Sequence, residues 1–249
     1  MYYLDTKYDT ALTAYLKSLE LSKDVFQVWQ QVMVIYNQKK DWDKLAKICN
    51  DALELFPNQS IVYLFKGGAE IQNKENEKAL KSFSRGEKMS SDNDKLRAQF
   101  LANLGDVYHN LNRYEESDSA YDRSLKLDPE NSYVLNNYSY YLSLRKTNLE
   151  KAKQMSAYAN KLEPDNSSFL DTYAWILFQL NDFTGAKDWQ EKAMKAGGDK
   201  SGTILEHYGD ILFQLGNKEE ALKYWKQAKD AGTDSTTIDK KISEGKYLE

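Results

Sequence analysis

The sequence predicts an all-α protein of helix–turn–helix units stacked in tandem, and three observations carry that prediction. Backbone breakers are scarce, with 3 Pro and 12 Gly in 249 residues, whereas average chains hold about 5% Pro and about 7% Gly. Sandwiches, barrels and propellers need many turns, and Pro and Gly are their main punctuation. Charged residues at 29% beside so few breakers favour helices joined by short turns. Second, one motif keeps a beat. Its anchors fall at Ala11, Leu45, Ala79, Ser117, Ala152, Ala186 and Ala221, spaced 34, 34, 38, 35, 34 and 35, a period that marks stacked repeats. Third, another motif lies between those anchors, clearest as Leu101-x-x-Leu104-Gly105-x-x-Tyr108. Its offsets of three, four and seven put these residues on one helical face. A hydrophobic content of 41%, with 18 Tyr, 9 Phe and 5 Trp, supplies core material and excludes a disordered chain.

Each unit therefore reads as helix A (the interleaved motif), a turn, and helix B (the anchor motif). The first stretch, Tyr8–Leu21, is a helix B alone, so residues 1–25 form a half unit. A stack begun this way exposes an apolar face, whereas terminal repeats are normally polar-faced. Either the chain is an excised piece of a longer protein, which is the preferred expectation, or another subunit covers that face. Six full units follow at 26–59, 60–97, 98–131, 132–166, 167–201 and 202–235. Their helix A motifs include Trp29-x-x-Val32-Met33-x-x-Tyr36, Leu135…Tyr138-Ser139…Leu142, Leu170…Tyr173-Ala174…Leu177 and Leu205-x-x-Tyr208-Gly209-x-x-Leu212. In the unit at 60–97, Lys66-Gly67-Gly68 and Glu70 stand where Leu and Tyr are usual, which leaves its register open by one residue. The 38-residue spacing predicts a longer helix A in the next unit, capped near Ser91 or Asp92. Polar breakers mark the turns: Lys39-Lys40-Asp41, Asn112-Arg113, Asn181-Asp182 and Gly216-Asn217. Pro57, Pro129 and Pro164 each follow a helix B and stop it. Residues 236–249 close the chain; Ile238 and Ile242, four apart among Asp239, Lys240, Lys241 and Glu244, suit a solvating cap helix.

This pattern resembles the tetratricopeptide repeat family, whose unit of about 34 residues carries W-x2-L-G-x2-Y…A-x3-F…P. The resemblance covers nearly the full chain and implies a right-handed α-solenoid, a superhelix of tandem units. Small Gly105, Gly209 or Ala174 lets helix B approach helix A, and Ala79, Ala152, Ala186 or Ala221 does the same from the other side. Tyr15, Phe83, Tyr121 and Trp225 are expected to fill the space between successive hairpins. Met33 and Ser139, at the small place, predict wider local packing.

No catalytic chemistry emerges. Only His109 and His207 are available as histidines, neither in HExxH, and Cys49 takes the large-residue place of a helix B as a packing residue. Glu206-His207 with Asp210 one turn on can orient an imidazole or hold a metal weakly, but polar residues on a groove wall account for them as well. Ser91-Asp92-Asn93-Asp94 lacks the Gly and terminal Glu of a calcium loop, and Gly67-Gly68 and Gly197-Gly198 make no phosphate loop. Neither an enzyme, a cofactor nor a metal is expected. Lys+Arg 34 against Asp+Glu 38 gives a net charge of −4, which disfavours nucleic acid. No run of ~18 apolar residues exists to span a membrane. The N-terminus lacks the form of a signal peptide, and a lone Cys leaves the redox compartment open. A ratio of 29 Lys to 5 Arg points to an AT-rich bacterial genome; the compartment stays undetermined, with a cell-envelope location compatible with a longer precursor.

In the family, helix A segments line a concave groove, and the resemblance assigns the residues not spent on packing to it. These are Gln30 and Gln31, then Asn103, Asp106 and His109, then Tyr133, Asn136, Asn137 and Tyr140. Further along come Asp171, Trp175 and Phe178, then Glu206, His207, Asp210 and Phe213. The set has no Lys or Arg, so clamping of a chaperone's terminal carboxylate is not expected. Amides, aromatics and four acids suit a polar-to-basic peptide or protein segment; packing between neighbouring helix A segments is the equal alternative for each aromatic. Two other classes remain: self-association through residues 1–25, and an RNA-reading array like the pentatricopeptide repeats, which the net acidity argues against.

Overall fold

Residues 2–248 are described in the computed structural model, their side chains from Lys7 onward. Among them there are fourteen α-helices, one 3-10 turn at Gly198–Lys200 and no strand. The architecture is the all-α repeat solenoid that the sequence pattern predicts. The helices cluster into two compact units, Met1–Pro129 and Glu130–Glu249.

The first unit holds α1 (Tyr2–Leu21), followed by the hairpins α2 (Phe26–Gln38)/α3 (Trp42–Leu55), α4 (Ser60–Gln72)/α5 (Asn76–Met89) and α6 (Asp94–Asn110)/α7 (Tyr114–Leu127). Helix α1 starts six residues before the expected Tyr8 and packs Leu12, Tyr15, Leu16 and Leu19 on the core of α2 and α3. Helix α6 has 17 residues against 13 in α4, which is where the four extra residues of the long spacing go. Its cap is Asn93, one residue past the expected position, whose Oδ1 accepts the Leu96 N–H at 3.0 Å. The second unit holds α8 (Ser132–Leu144)/α9 (Leu149–Leu162), α10 (Ser167–Gln179)/α11 (Phe183–Lys195), α12 (Gly202–Gln214)/α13 (Lys218–Ala231) and the short α14 (Ile238–Glu244).

One turn geometry closes all six hairpins. Lys40, Lys74, Asn112, Lys146, Asn181 and Gly216 sit in the left-handed region with φ of 55°, 61°, 58°, 52°, 64° and 84°. The next residue turns its N–H back to the helix A carbonyl five positions earlier, as Asp41 does to Tyr36 at 3.0 Å and Asn217 to Leu212 at 2.9 Å. This arrangement satisfies the last helical carbonyls and stops helix A. Three of the six positions are Lys, which the left-handed region accepts only at a steric cost.

Within a hairpin the small place of helix A meets the large place of helix B sixteen residues on. A Cβ added at Gly105 would lie 2.7 Å from the Tyr121 ring, and one at Gly209 would lie 2.5 Å from Trp225. Gly67 meets Phe83 in the same way, so the doubtful unit keeps the common register. Phe83, Tyr121 and Trp225 thus fill space inside their own hairpins, while Phe83 also reaches Phe100 of the next hairpin at 6.3 Å and Tyr15 packs on the hairpin that follows it. Two other hairpins shift the bulk, Met33 with Cys49 and Ala174 with Gln190. In α8/α9 the turn is one residue longer, so the place corresponding to the large residue is the buried Ser156, and neither it nor Ser139 is bulky. Met33 and Cys49 are both fully buried in one core cluster, and α2 and α3 approach less closely than the helices of the glycine-bearing hairpins, the wider packing that Met33 predicts.

Adjacent glycines in α4 should therefore respond oppositely to the same substitution. Nothing lies within 4 Å of a Cβ on Gly68, so Gly68→Ala should stabilise by about 0.5–1 kcal/mol through helix propensity. Gly67→Ala drives a methyl into the Phe83 ring and should destabilise, because overpacking costs about 1–3 kcal/mol. Adding Phe83→Leu to Gly67→Ala should recover part of that loss. Urea midpoints of the four proteins would test this; equal midpoints for Gly67→Ala and Gly68→Ala would remove the volume argument.

Candidate functional site

The expected groove residues separate into two groups. In the first unit, Gln31 is exposed and Gln30 half-buried on α2. On α6, Asn103 donates Nδ2–H to the Gln99 carbonyl at 2.7 Å, Asp106 accepts the Tyr121 hydroxyl at 2.6 Å, and His109 lies 5.5 Å from the Tyr114 ring. These side chains are held by near neighbours on α6 and α7, and none of them lines the hollows described next.

The second unit gathers most of the remainder in one place. Tyr140 of α8, Trp175 of α10, and Glu206, His207 and Asp210 of α12 line a hollow of about 570 Å³. A second, of about 310 Å³, is lined by Asn136, Tyr140, Asp171, Thr172, Ser201 and Thr203 among others; Tyr140 and Thr203 line both. Tyr133 stands exposed beside them, edge-on to Phe169 at 5.5 Å, while Asn137 is half-buried and accepts Asn136 Nδ2–H at 3.4 Å. Phe213 lies elsewhere, stacked on Trp225 at 5.7 Å with Lys218 over its ring.

Burial decides how these groups behave. Trp175 is 7% exposed and stacks on His207 at 4.1 Å and on Phe178 at 4.7 Å. His207 Nδ1–H donates to Asp171, 3.0 Å from both carboxylate oxygens, and Gln190 Nε2–H donates to the same carboxylate at 2.6 Å. Burial opposes the charged imidazole, but Asp171, joined by the carboxylates of Asp210 and Glu206, outweighs it and raises the His207 pKa above its usual value. Burial also lifts Asp210 to about 6 against the pull of Lys241, and lifts the Tyr140 hydroxyl to about 12, helped by Asp171 and Glu206. Glu206 goes the other way. Its burial disfavours charge, yet the Lys241 ammonium holds its carboxyl below the usual range.

Lys241 is the residue that sequence reasoning placed in solvent. It is 3% exposed, and its Nζ donates to Glu206 at 2.8 Å and to Asp210 at 2.7 and 2.9 Å. Tyr247, from beyond α14, packs edge-on to Phe178 at 5.7 Å. Arg145 and Lys146 also line the larger hollow, and Thr233, Ser235 and Tyr247 of the C-terminal segment form part of its wall. The cap helix thus supplies the cation that meets Glu206 and Asp210. No periodicity signals it, because residue 241 lies outside the repeat and 31 residues from Asp210.

Three polar atoms here have no intramolecular partner: Asn136 Oδ1 and Gln190 Oε1, both acceptors, and Trp175 Nε1–H, a donor. Elsewhere, burial pushes the Cys49 thiol up to about 12 and keeps it unreactive. Among the described residues no group of three His, Cys, Asp or Glu side chains is placed to hold a metal, and no helix is long and apolar enough to cross a membrane.

Comparison with known proteins places this fold. A family model described as tetratricopeptide repeat matches residues 98–131 and 203–231. Among solved structures, the chain is similar to one in the APC/C hetero-tetramer Cut9-Hcn1, with a TM-score of 0.75 at 14% identity over 98% of this chain. It spans 47% of that chain, about half its length. It is also similar to a tetratricopeptide repeat protein from Parabacteroides merdae, with a TM-score of 0.73 at 14% identity over 98% of this chain and 94% of the other. For pilF of Pseudomonas aeruginosa the TM-score is 0.61 at 20% identity, over 75% and 86%. Likeness at these identities concerns the fold alone. No curated protein matches the sequence.

The His207–Asp171 pair makes stability depend on pH with a definite sign. A histidine whose pKa is raised on folding adds stability that is fully present below its unfolded value, near 6.5, and lost as pH rises through the folded value. The thermal midpoint should therefore fall between pH 6 and pH 8.5. In His207→Gln the fall should be smaller; an unchanged slope would show that the imidazole carries no charge at pH 6.

Proposed function

The chain is a tetratricopeptide-repeat protein, and we propose that it is a non-enzymatic scaffold holding an extended protein segment along α8, α10 and α12. The supporting observation is the pair of adjoining hollows in the second unit, with one unpartnered acceptor and one unpartnered donor among their lining residues. A buried polar atom left unpaired costs about 1–3 kcal/mol. An extended peptide presents backbone N–H groups along its length, and one of them suits Asn136 Oδ1. The hydroxyls of Thr172, Ser201 and Thr203 add polar lining.

The charge expected of the partner changes with this geometry. Each of the four acids has an intramolecular partner: Asp106 with Tyr121, Asp171 with His207, and both Glu206 and Asp210 with Lys241. The segment held at the Asn136 end is therefore polar and uncharged rather than basic. Self-association through residues 1–25 is a separate reading, favoured by Leu21 at 82% and Val25 at 47% exposure; light scattering over a dilution series tests it.

Trp175 is too deeply packed to report on binding, so the test rests on the amides. Peptides selected on the full chain from a random displayed library should lose at least tenfold affinity for Asn136→Ala/Asn137→Ala. The thermal midpoint of that variant should stay within a few degrees of the parent. Selected peptides that bind the variant as well as the parent would overturn the groove assignment.

A further inference from the structure

Two buried carboxylates, Glu206 and Asp210, lie four residues apart on α12 and are 6% and 2% exposed. Like charges at this spacing repel, and buried carboxylates need a cation and further hydrogen bonds. The ammonium they hold belongs to none of the six hairpins. It comes from Lys241 on α14, a helix of seven residues, too short to persist on its own. Aromatic side chains of α8 and α10 lie beside the carboxylates: Tyr140 and Trp175 line the same hollow, and Phe178 receives Tyr247. Lys241 Nζ in turn sits 5.4 Å from the Tyr247 ring centre. Two left-handed glycines, Gly232 and Gly245, flank the helix that carries Lys241.

We propose that α8, α10 and α12 form a receptor for a lysine side chain followed by an aromatic one, and that residues 233–248 fill it in cis. The C-terminal segment is then a tethered competitor, and the partner that displaces it carries the same basic-aromatic chemistry. This inference rests on the groove reading above and gives the Lys241 end of the groove its ligand class. The exchange replaces one ammonium by another on Glu206 and Asp210, so it leaves no buried charge bare. What the partner must outweigh is the tether, which holds the segment at a high effective concentration, and the anchorage of Ile238 and Ile242 in the core formed with α12 and α13. Apparent affinity for the partner is lowered by the fraction of molecules whose site is filled.

The probe is a fluorescein-labelled synthetic peptide of residues 233–248, offered to the full chain and to its Lys241→Ala/Tyr247→Ala variant. The variant should bind it at least tenfold more tightly than the parent, and a peptide carrying Lys241→Ala should bind at least tenfold more weakly. Equal binding by parent and variant, or equal binding of both peptides, overturns the proposal. Removing Lys241 leaves two acids bare, so a variant that does not fold is replaced by hydrogen exchange on the unaltered protein. Amides of 238–248 should exchange at least tenfold faster than those of α12 and α13; equal protection would make the segment a fixed cap and overturn the proposal. If library peptides depend on Asn136 and Asn137 while the 233–248 peptide fails to bind, this inference falls and the groove reading stands. If neither class of peptide binds, both fall.

Discussion

Five of the six hairpins depend on one steric constraint, the volume shared by their two helices where they cross. Helix A and helix B approach where residue i faces residue i+16, and space for one bulky group exists there. Gly67, Gly105 and Gly209 leave that space to Phe83, Tyr121 and Trp225. Met33 takes more of it and leaves Cys49, a smaller residue, on the other helix. Packed interiors tolerate a redistribution of volume far better than a change in it. Five hairpins can therefore differ in residue type while keeping one crossing; α8/α9, with its longer turn and serines at both places, keeps the architecture without the bulky group.

The same constraint reaches the groove chemistry. Tyr121 and Trp225 cross the glycine opposite them, and their polar tips arrive at the next helix A residue. Tyr121 donates its hydroxyl to Asp106 at 2.6 Å, and Trp225 donates Nε1–H to Asp210 at 2.8 Å. A core aromatic thus orients an acid on helix A, in both units, at the same sequence separation. Asp106 and Asp210 follow their glycines directly, so the small residue that admits helix B also brings its donor to the acid.

Most of the fold was legible because the residues that build it repeat. The period, the turns and the long α6 all follow from spacings that the chain displays repeatedly, and the i+16 pairing that settles the register at Gly67 is written in the same units. The site was legible only in part. Helical facing identified Asn136, Tyr140, Glu206, His207 and Asp210 as neighbours on the helix A side, but a one-dimensional pattern does not show which of them are already satisfied. Lys241, Tyr247 and Gln190 reach their partners through tertiary contacts that no period encodes. Trp175 and Phe178 were open between groove and core, and stacking on His207 together with the approach of Tyr247 places both inside.

These contacts give the second unit two chemically different ends. At the Asn136 end the lining is amide and hydroxyl beside an Asp171 already held by His207 and Gln190, and its unpaired acceptor suits a neutral backbone. At the Glu206 end the lining is charged, and the low pKa of Glu206 reflects an ammonium held within hydrogen-bond distance. A peptide lying across both ends meets a polar surface first and a charged one second. Discrimination between partners then turns on the second contact, because replacing a buried ammonium by a neutral group would leave two carboxylates uncompensated, a far larger penalty than the loss of one backbone hydrogen bond.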